Sequence, residues 1–180
     1  MRATTILAVR TNSELAIGGD GQVSQSNIIF KQNVKKVRTL NNGKILAGFA
    51  GVTSDALAIF DRLENYLVHY PQLTRACVEL VRDCRNHSKS EAQLIVADED
   101  KMLLLTGAGD LLEPDDNILG IGSGGSLAVA AARALIAHTS LSAGQIVRSS
   151  LEIASGLCIF TNSNITLLTL ECSKQKEGIR

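Results

Sequence analysis

The residues best suited to take part in a reaction lie at the start of the chain, where Thr4 and Thr5 follow Met-Arg-Ala and precede an apolar run. A threonine hydroxyl is a poor nucleophile that needs a base. If residues 1–3 were removed as a leader, the new α-amino group of Thr4 would titrate near neutral pH and could act as that base. The small Ala3 would suit a cleavage junction. A β-branched residue also commonly opens a strand, so the remaining sequence must distinguish the two interpretations.

Two charged residues could support such a nucleophile. Asp20 lies in the glycine-rich stretch 18–21, and Lys36 lies beside Lys35 in the stretch 33–38. Adjacent residues of a strand point to opposite faces, so one of the two lysines would point inward. An inward lysine is costly unless it is paired, and Asp20 could supply the partner. Considered separately, Asp20 is typical of a turn, and Lys35 and Lys36 are typical of a solvated edge strand.

Two further glycine-rich segments could serve a site. The stretch 48–51 (Gly-Phe-Ala-Gly) ends a predicted strand, where a glycine lets substrate approach and can leave an N–H for an oxyanion. The stretch 120–125 (Gly-Ile-Gly-Ser-Gly-Gly) matches the dinucleotide-binding pattern. That pattern also requires an acidic residue about 20 positions later, and residues 138–146 contain no Asp or Glu. The alternatives are a turn that packs a helix against a strand, or a loop that places Ser123 in a site.

The elements that must position these residues follow from the hydrophobic periodicity, which predicts strands, two helices, strands, two helices and a final strand. The order lacks βαβ alternation and favours two packed sheets with a helix pair on each outer side. Strands are expected at residues 4–10, 14–19, 33–40, 44–51, 90–100, 101–110, 117–122 and 164–171, and helices at 54–70, 72–85, 126–138 and 142–156.

The overall composition excludes several classes of protein. The chain has 180 residues, 45% of them hydrophobic, which suits one domain with a sizeable core. A formal net charge of zero argues against nucleic acid as a partner, and no apolar stretch is long enough to span a bilayer. The four cysteines do not form Cys-x-x-Cys pairs, so a structural zinc site is not expected. We expect reduced thiols in a cytoplasmic protein instead.

Several motifs in a fixed order resemble one family, the HslV (ClpQ) peptidase subunits of bacterial ATP-dependent proteases, which are similar to proteasome β-subunits. The resemblance extends from residue 4 to about residue 170. Its segments are 4–10 (TTILAVR), 17–24 (IGGDGQVS), 33–38 (NVKKVR), 44–51 (KILAGFAG), 97–99 (ADE), 120–125 (GIGSGG), 130–135 (AAARAL) and 154–162 (ASGLCIFTN).

The resemblance implies an α+β fold, the four-layer α-β-β-α sandwich of N-terminal-nucleophile hydrolases, formed by residues 4–180 after loss of the leader 1–3. It implies a threonine-type endopeptidase in which Thr4 is the nucleophile and Asp20 and Lys36 are its charge partners. Ser123 would lie near the Thr4 amine, and Gly48 would offer the oxyanion N–H. No ATP site is expected in this chain.

The resemblance also implies a cofactor and partners. Main-chain carbonyls of Ser155, Cys158 and Thr161 would hold a monovalent cation, Na⁺. The chain would form a homododecamer of two stacked hexameric rings, fed and allosterically activated by the AAA+ unfoldase HslU (ClpY), with protein substrates.

Three departures accompany the resemblance. The segment 84–92 is shorter than in the family, Leu127 replaces a common aromatic residue, and the leader is longer than a lone methionine. Two alternatives stay open at this point. One is an unprocessed, non-catalytic ring subunit of the same fold, and the other is a nucleotide-binding domain that uses residues 120–125.

Overall fold

Two antiparallel β-sheets face each other and a helix pair covers the outer face of each, in a computed structural model that describes residues 4–25, 27–51, 53–86 and 91–172. The expected four-layer α-β-β-α sandwich is confirmed. Within these ranges, no helix is both long and apolar enough to cross a membrane. The predicted leader, residues 1–3, and part of the short segment 84–92 lie outside the described residues.

The first sheet carries the start of the chain in its centre. Its spatial order is β10-β1-β2-β11, and every neighbouring pair is antiparallel. The strands are β1 (Thr5–Arg10), β2 (Glu14–Gly19), β10 (Ile118–Gly122) and β11 (Thr166–Glu171). Because β1 has a neighbour on both sides, its first residues are surrounded by the ends of other strands.

The second sheet has five strands in sequence order, β5-β6-β7-β8-β9, and a separate two-stranded hairpin joins β3 to β4. The strands are β3 (Val23–Gln25), β4 (Ile28–Lys31), β5 (Val37–Leu40), β6 (Ile45–Ala50), β7 (Gln93–Ala97), β8 (Met102–Thr106) and β9 (Leu111–Leu112). The expected strand over 33–40 begins only at Val37, so Lys36 precedes it. The sequence does not predict the hairpin, because β4 is exposed throughout and buries no face.

In the described part of the chain, four helices form the outer layers, as predicted: α1 (Thr53–His69), α2 (Leu73–Asn86), α3 (Gly125–His138) and α4 (Ala143–Ser155). The predicted capping box of α4 is present. Ser142 Oγ accepts the Gln145 N–H, and Gln145 Oε1 accepts the Ser142 N–H at 3.0 Å. This reciprocal pair fixes the start of α4 from local sequence alone.

Three apolar clusters fill the three interfaces between the four layers. One joins α1 and α2 to the second sheet, and it includes Phe60, Leu63 and Leu80. Another lies between the two sheets and includes Ile6 and Ala8 of β1. The third joins the first sheet to α3 and α4, and it includes Leu7 and Val9. Alternate residues of β1 therefore pack on opposite sides of its sheet.

Candidate active site

Three of the sequence-predicted residues meet at one edge of the first sheet. Thr4 immediately precedes β1, Asp20 immediately follows β2, and Ser123 immediately follows β10. Because β1 runs antiparallel to both neighbours, its start lies beside their ends, and Thr5 is in register with Gly122. The topology thus brings Ser123 against Thr4, although the two are 119 positions apart.

Lys36 and Asp20 form a buried ion pair. Lys36 Nζ lies 2.8 Å from Asp20 Oδ1, and the two side chains are 1% and 0% exposed. Lys36 Nζ also donates to the carbonyl oxygen of Gln22. Burial lowers the pKa of Lys36 below its ordinary value, while the charge of Asp20 and their hydrogen bond oppose that effect. Lys35 is exposed, so the adjacent lysines do point to opposite sides.

Two backbone amides complete the hydrogen bonding of the Asp20 carboxylate. The Thr5 N–H donates to Oδ1 at 2.7 Å, and the Gln22 N–H donates to Oδ2 at 2.9 Å. Oδ1 is therefore shared between Lys36 Nζ and the amide that follows Thr4 in the chain. A buried charge persists only where such donors compensate for lost hydration. The carboxylate thus holds the lysine in a fixed position relative to Thr4.

Thr4 is itself almost fully buried, with 6% of its surface exposed. Its carbonyl oxygen accepts the Ser123 N–H at 2.8 Å and the Ser123 hydroxyl at 3.3 Å. Gly122 makes this approach possible, because its φ is +83° and a Cβ there would overlap the Thr4 carbonyl oxygen. Ser123 is thus placed beside Thr4 by two hydrogen bonds, while its part in proton transfer stays a prediction.

Gly48, the predicted oxyanion donor, lies inside the second sheet. Its register partners are Val37 on one side and Ile95 on the other. The next residue, Phe49, donates its N–H to the Lys36 carbonyl at 3.1 Å. Successive residues of a strand direct their N–H groups to opposite sides, so the Gly48 N–H points toward β7. The role of Gly48 as oxyanion donor stays a prediction. Its N–H is directed toward the neighbouring strand β7, where a hydrogen bond within the sheet would compete with one to substrate.

Gly51 is a second candidate for this donor. It follows Ala50, the last residue of β6, and has a φ of +112°. This strand end lies beside Thr4, because a Cβ on Gly122 would contact both the Thr4 carbonyl and, at 3.3 Å, the Ala50 Cβ. A donor just beyond a sheet can point toward a substrate without breaking a strand pair.

The carbonyls predicted to bind a cation belong to one short turn. Ser155 ends α4, and Cys158 and Thr161 lie in the turn that follows. The Thr161 N–H donates to the Cys158 carbonyl at 3.0 Å, which leaves that oxygen a second lone pair. Neutral carbonyl oxygens are hard ligands, so this donor set fits a hard monovalent ion.

A buried hydroxyl pair, which the sequence does not predict, joins this turn to the site. Thr5 Oγ1 lies 2.6 Å from Thr161 Oγ1 and accepts the Gly124 N–H at 3.0 Å. The only local signal was the repeated threonine at positions 4 and 5. Nothing in the sequence indicates that residue 5 should contact residue 161.

The glycine pattern 120–125 serves packing and not a nucleotide. A Cβ on Gly120 would lie 2.6 Å from the Gly125 carbonyl oxygen, so the glycines let β10 and α3 approach closely. Strand β10, which contains the first two glycines of the pattern, pairs antiparallel with β1, whereas the dinucleotide fold requires a parallel βαβ unit. The nucleotide-binding alternative is therefore wrong.

Comparison with known proteins identifies the family. A family model described as "Proteasome subunit" matches residues 1–170. The chain belongs to the proteasome subunit family. Eukaryotic HslV from Trypanosoma brucei is 39% identical to it, with a TM-score of 0.87 over 93% of this chain and 99% of that chain. This proteasome-family chain is thus an HslV-like peptidase subunit, as the sequence motifs predict.

More distant structures share the fold of this proteasome-family chain. Thiobacillus denitrificans BPH in complex with epoxomicin is 16% identical, with a TM-score of 0.76 over 94% of this chain and 99% of that chain. A second structure of the same protein is 17% identical, with a TM-score of 0.74 over 94% of this chain and 98% of that chain. At these identities the likeness concerns the fold alone.

Proposed function

We propose that this proteasome-family subunit is an N-terminal threonine endopeptidase, the proteolytic core of an ATP-dependent protease that degrades unfolded proteins. The observation that carries the proposal is the buried Asp20–Lys36 pair, bonded to the amide next to Thr4. A fully buried ion pair is a poor means of stabilisation, since apolar residues often serve as well. Its position beside a threonine that family membership marks as a nucleophile supports a catalytic role.

The reaction is acyl transfer through Thr4. Once residues 1–3 are removed, the Thr4 amine takes the proton from Thr4 Oγ1, and this oxygen bonds to the carbonyl carbon of the substrate peptide. The carbon–nitrogen bond then breaks, the amine returns the proton to the leaving amine, and an ester joins substrate to Thr4. Water attacks the ester with the same amine as base, the carboxylate product leaves, and the hydroxyl is restored.

The neighbouring residues supply charge and position. The Lys36 cation keeps the Thr4 amine neutral and stabilises the developing alkoxide, and Asp20 orients the lysine. Ser123 holds the Thr4 backbone through two hydrogen bonds to its carbonyl oxygen, and its hydroxyl would pass the proton. The oxyanion donor is the amide of Gly48 or, as the strand end favours, that of Gly51.

A monovalent cation, Na⁺, would bind the carbonyls of Ser155, Cys158 and Thr161. When bound, it would supply positive charge and would hold the turn in one conformation. The Thr161 side chain leaves that turn to contact Thr5. No acidic or thiolate ligand is needed, so Cys158 would act through its backbone oxygen.

Removal of the nucleophile tests the mechanism. Thr4→Ala should abolish peptide hydrolysis while the assembly stays intact, and Thr39→Ala, at an exposed threonine of β5, should leave hydrolysis unchanged. The intact mass of the purified wild type should lack Met-Arg-Ala. Hydrolysis retained by Thr4→Ala would refute the mechanism. A full-length mass without activity would instead favour the non-catalytic ring subunit.

We further propose that the chain assembles into two stacked hexameric rings in the cytoplasm and works with an AAA+ unfoldase of the HslU (ClpY) kind. The exposed hairpin supports assembly, because Ile28, Ile29 and Phe30 are 64%, 50% and 59% exposed. A two-stranded hairpin alone is at best marginally stable in water. Packing of neighbouring subunits against these side chains would remove that apolar surface from solvent.

A charge on the hairpin tests assembly. Phe30→Glu should give smaller species by native mass spectrometry, whereas Val68→Glu on α1 should assemble like the wild type. Val68 is a stringent control because it is 77% exposed, more than Phe30. Rings unaffected by Phe30→Glu would exclude the hairpin from the interface. Peptide hydrolysis with and without a purified HslU-type ATPase and ATP would test activation.

A further inference from the structure

The Thr5–Thr161 hydroxyl pair lies directly behind the candidate nucleophile. Thr5 is fully buried, and Thr161 is 5% exposed. Their oxygens are 2.6 Å apart, and Thr5 Oγ1 also accepts the Gly124 N–H. One hydroxyl must donate to the other, so the pair satisfies both oxygens where water has little access.

The pair lies on the opposite side of β1 from the inter-sheet core. Ile6 and Ala8 pack between the two sheets, whereas Leu7 and Val9 pack toward α3 and α4. Strand alternation therefore places the side chain of Thr5 on the helix side and directs that of Thr4 the other way. Through Thr5, the helix layer contacts the strand that carries the nucleophile.

Three separate segments converge on the pair. Thr5 opens β1, Thr161 belongs to the turn after α4, and Gly124 follows Ser123 at the start of α3. Glycine is required at 124, because a Cβ there would lie 2.9 Å from Thr161 Oγ1 and even closer to Thr5 Oγ1. The loop that places Ser123 is thus packed directly against both hydroxyls.

The same turn also supports the residues that follow Asp20. The Ile159 carbonyl accepts a hydrogen bond from Gln22 Nε2 at 3.0 Å, and Asn162 Oδ1 accepts the Gly21 N–H at 3.1 Å. Gln22 in turn donates its own amide to Asp20. The turn 156–162 therefore contacts both the nucleophile strand and the segment that holds the charged pair.

We propose that Thr161 is a positioning residue whose hydroxyl, through Thr5, sets the location of Thr4 relative to Ser123 and Asp20. The proposal rests on the peptidase function proposed above. A misplacement of about 1 Å between reacting groups can lower a rate about 100-fold, so a remote hydroxyl can act on turnover without touching substrate. Substrate binding does not depend on this contact, so the effect falls on kcat and not on KM.

The test compares Thr161→Val with Thr161→Ser. Valine keeps the shape and the main-chain carbonyl but removes the hydroxyl, and serine keeps the hydroxyl. Thr161→Val should lower kcat for a fluorogenic peptide by roughly 10- to 100-fold with KM nearly unchanged. Thr161→Ser should retain most of the wild-type kcat. Circular dichroism and native mass spectrometry establish that each variant folds and assembles.

A matched control separates this role from loss of any buried hydroxyl. Ser150 in α4 is fully buried, and its hydroxyl has no hydrogen-bond partner within the described part of the chain. Ser150→Ala should leave kcat unchanged. If Thr161→Val does not assemble, the smaller Thr161→Ala takes its place in the same comparison.

The outcomes separate the inference from the proposed function. An active wild type with an unchanged kcat in Thr161→Val, even with a lower Tm, overturns the inference alone. A rise confined to KM also overturns it, because the hydroxyl would then act on binding. A processed wild type that hydrolyses no peptide refutes the proposed function, and the inference fails with it.

Discussion

Replacing Lys36 by methionine should separate the structural and the catalytic roles of the buried ion pair. Methionine has a similar length and no charge, so the substitution leaves the volume nearly filled. What it removes is the 2.8 Å contact to Asp20 and the hydrogen bond to the Gln22 carbonyl. The Asp20 carboxylate then remains buried, and its donors among the described residues are the amides of Thr5 and Gln22.

The expected magnitude follows from those remaining contacts. Removing one partner of a buried ion pair costs about 3–5 kcal/mol of unfolding free energy, because the other charge is left uncompensated. Two amide donors still solvate Asp20, so we expect the lower end, about 3 kcal/mol. Asp20→Asn should cost a similar amount, since it removes the carboxylate that compensates the buried Lys36 cation. If Lys36 stabilises the alkoxide as proposed, its loss should lower kcat by about 100-fold or more.

The double variant Lys36→Met/Asp20→Asn is the informative one. The double variant has a neutral residue at each position and so carries no buried charge there. Its unfolding free energy should exceed, by about 2 kcal/mol, the value expected if the losses of the two single variants were additive. Its kcat should stay as low as that of Lys36→Met. Stability would thus recover while catalysis would not.

Urea unfolding followed by far-ultraviolet circular dichroism measures the stability, because the chain has no tryptophan for fluorescence. Protein concentration must be fixed, since subunit assembly contributes to apparent stability. A loss of less than 1 kcal/mol in Lys36→Met would mean that the pair is hydrated and not buried. A wild-type kcat in the double variant would refute the electrostatic role of Lys36.

Four other tests examine Gly122, Lys36 and Cys77. Gly122→Ala should lower activity by at least tenfold, because the new Cβ would displace the Thr4 carbonyl and because Gly122 has a positive φ that alanine rarely adopts. Near-wild-type turnover in this variant would contradict that geometry. If turnover requires charged Lys36, kcat/KM should fall as pH rises through the lowered pKa of Lys36. A decline of kcat/KM that begins only at pH 10.5 or above would contradict the role of Lys36. Lys36 keeps its proton up to about pH 10.5 in the unfolded chain but loses it at a lower pH in the folded protein. The unfolding free energy should therefore rise with pH between the folded and the unfolded pKa of Lys36, and Lys36→Met should not show this rise. Burial raises the pKa of Cys77 to about 12, so iodoacetamide at pH 8 should leave Cys77 unmodified in the native protein, and peptide mass mapping that finds rapid labelling would contradict its burial.

Features encoded in short segments were predictable from the sequence. The capping box of α4 needs only Ser142 and Gln145, and the predicted helix is present at that position. Residues 4–10 and 14–19 alternate or run apolar as strands should, and both strands formed. Strand alternation predicted that one of the two adjacent lysines would point inward, and Lys36 is buried, although both lysines precede β5 and the local pattern alone favoured two solvated lysines.

Features that depend on distant contacts were not predictable from hydrophobic periodicity or local patterns. Hydrophobic periodicity shows that a segment has a face to bury, but it does not identify the segment that covers it. The Gly48 assignment came from a motif, whereas the sheet placed a strand on each side of that residue. The hairpin 23–31 escaped prediction because its second strand buries no face.

The sequence by itself determined the family, the order of the elements and the residue types that carry the chemistry. Those depend on motifs and on local backbone preference, which a single strand or helix expresses without its neighbours. Only the tertiary structure decided that Thr5 meets Thr161, 156 positions away, and that Ser123 reaches the Thr4 carbonyl. Antiparallel pairing of β1 with β10, and packing of α3 and α4 on that sheet, create these contacts. They are properties of the assembled layers and of no single segment.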